Sequence, residues 1–413
     1  MVSALAHAPA PVVESDLRAV QRFVYVVEYP LATNDLDRYG IDHLRAQGRS
    51  VSVIDVGEIT QPYVAQDRAH YRSFGIDLRV ATRTSELASV APVLAGADLI
   101  IAILGVAGLT RQNLAVFRAI SRSRAPYLML FTNAFPGWNK YRGERGALWK
   151  RIRHIASRIF EIDWINTTIA RLPPRWLGIR PADFVVRGGH KSELPHRLIA
   201  PTTRVIRAHT MDYERHRGLP AVKPGRFAVF IDEYMPFHPD IALLNTHSPE
   251  PPEVYFAKLR GLFDAVERDL GLPVVIAANP RADYADKPDL FGGRKIVQHA
   301  TGRLVAECAL VIAHRSTAIG FAVMAKKPLM VAATRAIYRH SAHRPVFDAI
   351  SGALNKPITF YDDAAALDLS HALDIDDAAY DRYMADFVKT PDAHDLPYWQ
   401  IVLDGVEAAL VRR

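Results

Sequence analysis

Short apolar runs alternate with amphipathic stretches along most of the chain. In the first half the runs are Phe23–Val27, Val51–Val56, Asp98–Leu104, Tyr127–Phe131 and Asp183–Arg187, with Arg204–His209 after them. Each is short and rich in Val, Ile, Leu or Phe, the pattern of a strand buried on both faces. Between them Asp37–Gln47, Ser85–Ala95 and Thr110–Ser121 carry helical spacing, and Gly48 is a natural helix stop. The second half repeats the alternation. Phe227–Ile231, Pro273–Ala278, Ala309–Ala313, Pro328–Ala332 and Pro357–Tyr361 read as strands. Val254–Leu270 reads as a helix with Phe256, Leu259, Phe263 and Val266 on one face, ending at Gly271. Ala318–Ala325 and residues 341–353 read as further helices, and acidic, alanine-rich helices from Asp362 lead to a last one at Leu403–Val411.

Strand–helix alternation of this kind predicts α/β architecture with mostly parallel sheets. The Pro- and Gly-rich stretch His216–Arg226 (HRGLPAVKPGR) breaks the alternation and marks a boundary. The reading is therefore two Rossmann-like domains facing a cleft. Residues 1–20 form a leader, 21–218 and 219–385 the two domains, and 386–413 a helix that returns to the first. The 413 residues are enough for two such cores.

Composition narrows the class. No run of about 18 apolar residues occurs, so no membrane-spanning helix is predicted. The N-terminus lacks a basic region followed by an apolar core, so no secretory signal is expected. The one cysteine, Cys308, lies in an apparent helix (LVAECAL), excludes an intrachain disulfide and fits a reducing, cytoplasmic compartment. The net charge of +7 suits an anionic substrate or an anionic membrane surface. Residues 138–180 mix Lys and Arg with Trp138, Trp149, Trp164 and Trp176. That mixture suits a peripheral contact with the inner face of the membrane or an anionic acceptor. It equally suits a helix with a solvated basic face, because Ile152, Ile155 and Ile159 form an apolar stripe. No nucleic-acid-binding motif accompanies it.

Candidate chemistry gathers after the strands. His314-Arg315-Ser316-Thr317 separates a strand from a helix, where hydroxyls, cations and backbone N–H groups can meet a phosphate; Ser316 as a plain helix cap is the competing reading. Asn279-Pro280-Arg281 follows the neighbouring strand. Asp232-Glu233 follows the first strand of the second half, and an adjacent carboxylate pair can supply a general base. In the first half Glu28, Asp35 and Arg38 lie beyond the first strand, at the edge where open α/β sheets bind ligands; Asp35 can also be only a cap. The turn Gly105-Val106-Ala107-Gly108 is a weaker phosphate-binding candidate, lacking the full Gly-x-Gly-x-x-Gly spacing.

These motifs resemble GT-B glycosyltransferases, and more narrowly bacterial surface-polysaccharide and sialyltransferase-like enzymes. Their His-Pro turn is matched by Asn279-Pro280, their Ser-Ser or Ser-Thr turn by Ser316-Thr317, and their acidic motif loosely by Asp232-Glu233. The opening Glu28-Tyr29-Pro30-Leu31…Asp35…Arg38-Tyr39-Gly40 is similar to proteins encoded in polysaccharide gene clusters. The resemblance implies an enzyme that moves a nucleotide-activated sugar, with CMP-linked ulosonic acids favoured, onto a glycan or lipid-linked glycan acceptor of capsule or lipopolysaccharide type. It implies inversion, no cofactor and no metal. Asp232 or Glu233 would be the base, with Asp35 in reserve. His314, Arg315, Ser316, Thr317, Asn279, Pro280 and Arg281 would hold the donor nucleotide. Asn279 departs from the family's histidine and cannot deliver a proton near neutral pH. A UDP-sugar 2-epimerase, a CDP-polyol phosphotransferase and a non-catalytic glycan-binding scaffold are the alternatives.

Overall fold

The computed structural model describes residues 20–62, 68–106, 108–131, 135–137, 169, 172–192, 196–223, 225–237, 248–280, 282–284, 287, 289–341 and 343–411. The first sheet is built from β1 (Arg22–Val27), β2 (Ser50–Asp55), β3 (Asp77–Val80), β4 (Leu99–Ile103), β5 (Tyr127–Phe131), β6 (Phe184–Arg187) and β7 (Arg204–Arg207). The second is built from β8 (Ala228–Ile231), β9 (Val274–Ala278), β10 (Ile296–Gln298), β11 (Leu310–Ala313), β12 (Leu329–Ala333) and β13 (Ile358–Phe360). Their orders are β3-β2-β1-β4-β5-β6-β7 and β10-β9-β8-β11-β12-β13, and every pairing within them is parallel. Both sheets therefore reverse direction once, between β1 and β4 and between β8 and β11. Such a switch point opens a crevice at the C-terminal ends of the strands.

Alternation along each strand sends side chains to opposite faces. Phe23, Tyr25 and Val27 pack with the helix Tyr398–Val411, while Val24 and Val26 pack with Phe117 and Ile120 of the helix Arg111–Ser123. The last helix thus lies on the N-terminal sheet. Its Val402 and Val406 are fully buried, each contributing roughly 1.5–3 kcal/mol. Glu407 pairs with Arg49 at 2.7 Å, and the Trp399 indole donates to the Arg38 carbonyl at 3.1 Å.

Trp399 also explains a departure from the sequence pattern. Asp37–Gln47 is not one helix but parts of two, Thr33–Arg38 and Ile41–Ala46, broken at Gly40. Gly40 has φ +69°, and a Cβ there would lie 2.4 Å from the indole. The chain crosses back to the first domain along residues 384–390. There His190 and Lys191 donate backbone N–H groups to the Ala385 and Asp386 carbonyls at 2.9 and 2.6 Å. Gly189 permits this approach, since a Cβ would meet the Asp386 carbonyl carbon at 2.3 Å.

In the second sheet Phe230, Ile312 and Val331 are core residues against Leu259, Phe263 and Val266 of the helix Pro252–Leu270. Cys308 is not within a helix but just beyond Thr301–Glu307, fully buried in extended backbone. Burial raises its thiol to about 12. Among the described residues no helix is long and apolar enough to cross a membrane.

Candidate active site at the second switch point

Register decides which side chains meet. Ile231 is level with Ala313 and with Ala277, so the residues that leave β8, β9 and β11 emerge side by side. Asp232 and Glu233 leave β8, Asn279 and Pro280 leave β9, and His314 through Thr317 leave β11. Glu233 bridges the crevice. Its Oε1 accepts the Arg315 backbone N–H at 2.6 Å, and its Oε2 lies 3.9 Å from Arg315 Nε. The two side chains keep 16% and 21% of their surface exposed, so this pair can still meet a ligand.

Asp232 behaves differently. It is 4% exposed and held from three sides. The Tyr234 N–H donates to Oδ1 at 2.9 Å, made possible by Tyr234's left-handed backbone at φ +57°, and the Asn279 N–H lies 3.5 Å from Oδ2. The Tyr284 hydroxyl donates to the same Oδ2. Burial dominates over these donors and raises the carboxyl to about 6. Tyr284, which closes the turn that begins at Asn279, is thus a direct partner of Asp232.

His314 is fully buried rather than open to the crevice. Its Nδ1–H donates to the Ala332 carbonyl at 2.7 Å, and its Nε2 accepts from the Tyr255 hydroxyl at 3.0 Å. The ring stacks on Tyr361 at 5.9 Å and meets Phe230 edge-on at 5.3 Å. Burial lowers its pKa, so the neutral tautomer with hydrogen on Nδ1 is the one these partners select. This geometry makes His314 a post that fixes the start of the Arg315–Thr317 turn. Beside it, buried Glu250 takes Lys258 Nζ at 2.5 Å and the Thr334 hydroxyl at 2.8 Å, and Lys258 also reaches Asp362 at 3.0 Å. That network ties the loops after β12 and β13 to the helix Pro252–Leu270. Neither Glu250 nor Tyr255 stood out in the sequence, because each lies in an ordinary polar or helical context.

The helix after β11 is shorter than its spacing suggested, Ile319–Met324 rather than Ala318–Ala325. Ser316 does not cap it. The Ser316 hydroxyl accepts the Ala318 N–H at 3.2 Å within the turn, and the Ile319 and Gly320 N–H groups go to the Ser316 and Thr317 carbonyls. A six-residue helix has little macrodipole. Anion binding here would thus lean on the hydroxyls and Arg315.

In the first half Glu28 leaves β1 and its Oε2 accepts the Gly105 N–H at 3.1 Å. Burial raises the Glu28 pKa. Asp35 lies in the first turn of Thr33–Arg38, where its carboxylate accepts the Ala32 N–H at 2.9 Å, half of a capping box. Arg38 sits in the field of Tyr39, Asp212 and Tyr29. Asp212 lies close after β7, its pKa raised by burial against the opposing charges of Arg38 and Arg215. Thr210, Asp212, Thr317, Gly320 and Tyr383 line one narrow cavity. Thr317 of the second half thus shares a cavity lining with Asp212 of the first, whose carboxylate lies in the field of Arg38. Gly105 has φ +66° and its missing Cβ makes room for Phe117, at 2.6 Å, so this turn serves packing. Arg281 lies outside the described residues, as does most of the basic Trp-rich segment; within its described part Trp176 is 69% exposed.

Among the described residues no group of three or more His, Cys, Asp or Glu could hold a metal ion. No known protein family matches the sequence, and no curated protein does. Solved structures do match. The chain is similar to Phytolacca americana UGT2 complexed with UDP-2fluoro-glucose and pterostilbene (TM-score 0.53, 10% identity, 95% of this chain and 99% of that one). It is similar to CalG4, the calicheamicin glycosyltransferase (TM-score 0.51, 14% identity, 95% and 99%). It is also similar to S. aureus MnaA in its UDP co-structure (TM-score 0.50, 12% identity, 94% and 97%). At such identities the likeness is one of fold: two Rossmann-like domains in the GT-B arrangement. It does not single out the narrower CMP-sugar branch.

Proposed function

We propose that this chain is a glycosyltransferase that takes a nucleotide-activated sugar at the second switch point and transfers it to an acceptor entering from the first domain. The observation that carries the reading is the Glu233–Arg315 bridge: a partly exposed carboxylate and guanidinium held together across the crevice of a GT-B fold. The nucleotide ligands named for two of the similar structures, UDP-2fluoro-glucose and UDP, support this use of the fold.

In the proposed reaction Glu233 accepts the proton of an acceptor hydroxyl. The hydroxyl oxygen bonds to the anomeric carbon as the bond from that carbon to the donor phosphate oxygen breaks, and the electron pair leaves on the nucleotide. The configuration inverts, and no bond to the protein forms. Arg315, Ser316 and Thr317 stabilise the departing phosphate. Asp232 is a positioning residue, because its oxygens are engaged by Tyr234, Asn279 and Tyr284. His314 positions the phosphate-holding turn. Asn279 and Pro280 close the crevice beside β8. Arg38, which feels both Asp212 and Asp35, belongs to the acceptor side.

Arg315, beside Glu233, and the Ser316 and Thr317 hydroxyls form one compact anchor for a phosphate. Together with the resemblance of the Asn279-Pro280 and Ser316-Thr317 turns to those of sialyltransferase-like enzymes, this favours CMP, and with it a CMP-linked ulosonic acid passed to a bacterial surface glycan. Thermal unfolding with CMP, CDP, UDP and GDP tests the reading, since a ligand bound to the native state raises its stability by mass action. The expected result is a CMP-selective rise that is lost in Ser316→Ala. A UDP-selective rise would move the donor to a UDP-sugar. No rise with any nucleotide would overturn the transferase reading.

A further inference from the structure

A second polar cavity lies away from the switch point, at the free edge of the second sheet beside β13. It has a volume of about 470 Å³, within the usual range of small-ligand pockets, roughly 300–1,000 Å³. Three guanidinium groups line it, those of Arg335, Arg339 and Arg344. They come from the short helix Arg335–Arg339 and the start of the helix Arg344–Leu354. Arg335 lies over the Phe360 ring at 4.8 Å and Arg344 over the Tyr338 ring at 5.5 Å. A guanidinium stacked through its face keeps its in-plane N–H groups for a ligand and has lost part of its rotamer freedom beforehand.

The charges are not balanced. Among the described residues neither the Arg335 nor the Arg339 guanidinium has a hydrogen-bond or ion-pair partner, whereas Arg49, Arg68, Arg180 and Arg294 each have a carboxylate within 3 Å. The carboxylate lining this cavity, Asp348, takes the Tyr338 hydroxyl at 2.7 Å and lies 3.7 Å from Arg344. Nearby Asp362 is engaged by the Arg335 backbone N–H and by Lys258. Two unpaired arginines and one weakly paired one around a concave, aromatic-walled site fit a phosphate group, which accepts bidentate bonds from several guanidinium forks.

We propose that this cavity binds a phosphate-bearing ligand, independently of the nucleotide crevice. The inference does not rest on the transferase reading, since none of its residues is assigned to donor, acceptor or base.

The test uses the full chain and the double variant Arg335→Gln/Arg339→Gln, with two probes. One is inorganic pyrophosphate, followed by calorimetric titration. The other is vesicles of phosphatidylglycerol in phosphatidylcholine, followed by co-sedimentation. Loss of two charge-assisted partners is expected to weaken binding about tenfold or more. Weakening of pyrophosphate alone assigns a soluble phosphate ligand. Weakening of vesicle binding, with or without pyrophosphate, assigns a phospholipid headgroup. If neither probe loses affinity in the variant, the proposal is overturned. The thermal shift with nucleotides at the Ser316 turn is the internal control. It stays unchanged in the double variant if the sites are independent, and its loss together with the other signals would overturn independence.

Discussion

The two switch points are built alike and furnished differently. In each, a glutamate just past the first strand accepts a backbone N–H from the loop after the fourth: Glu28 from Gly105, Glu233 from Arg315. In each, a buried histidine with both ring nitrogens engaged braces that loop. His196 reaches the Gly105 carbonyl at 2.9 Å and takes the Leu198 N–H, and His314 spans Ala332 and Tyr255. The bolt is common; what surrounds it is not. At the first point the loop residue is a glycine in a left-handed conformation pressed against Phe117. At the second it is an arginine followed by two hydroxyl residues, with an acidic pair opposite. A carboxylate that closes a backbone hydrogen bond is thus a feature of the fold. Chemistry enters where the residues around it keep side chains that the fold does not consume.

The sharpest test of that distinction compares Glu233→Gln with Glu28→Gln. Each variant keeps an amide oxygen that can accept the bridging N–H. If Glu233 is the base, its variant loses about 10²–10⁴-fold in turnover, with KM for the donor little changed and the fold intact. Glu28→Gln should leave turnover within a few-fold. Steady-state kinetics on both decides the matter, and equal losses would erase the proposed difference between the two points.

Asp232 gives a second, pH-dependent contrast. Its folded pKa, raised to about 6 from 3.8 by burial, means the folded protein holds a proton that the unfolded chain releases. Its contribution is therefore most favourable below about pH 4 and is lost as pH rises through 6, a difference of about 3 kcal/mol. Urea unfolding at pH 4 and pH 7 should show Asp232→Asn gaining on the wild type by about 2 kcal/mol between the two, since the unfolded carboxyl is already partly ionised at pH 4. A variant with the wild-type pH dependence would mean that Asp232 is not held in its buried, protonation-favouring state.

Much of this frame was legible from periodicity. The buried central strands are short apolar runs, and every one of them was readable. The edges were only partly readable: β7 and β13 fall on runs that read as strands, whereas β3 (DLRV) and β10 (IVQ), short and largely exposed, carry no continuous apolar signal. The single helix read across Asp37–Gln47 failed for a nonlocal reason, since Gly40 yields to Trp399, far away in sequence. At the site, sequence could place Asp232, Glu233 and Ser316 after their strands, because position past a strand is a local property. It could not tell part-exposed Glu233 from enclosed Asp232, nor see that His314 is spent on Ala332 and Tyr255. Those distinctions depend on burial by Tyr284, Tyr255 and Tyr361, which only folding brings together.

The smallest effect separates backbone from side chain at the two loops. Gly105→Ala forces a β-carbon into a left-handed residue and against the fully buried Phe117 ring, 2.6 Å from its nearest atom. Conformational strain and overpacking together should cost about 2–3 kcal/mol. Arg315→Ala keeps the N–H that Glu233 accepts and gives up a part-exposed ion pair at 3.9 Å, worth about 1 kcal/mol or less. Denaturant unfolding should thus rank Gly105→Ala as the more damaging change to stability, and nucleotide titration should rank Arg315→Ala as the more damaging change to binding. If Arg315→Ala proves as destabilising as Gly105→Ala and still binds nucleotide, the guanidinium is part of the scaffold. The second switch point would then have the same structural character as the first.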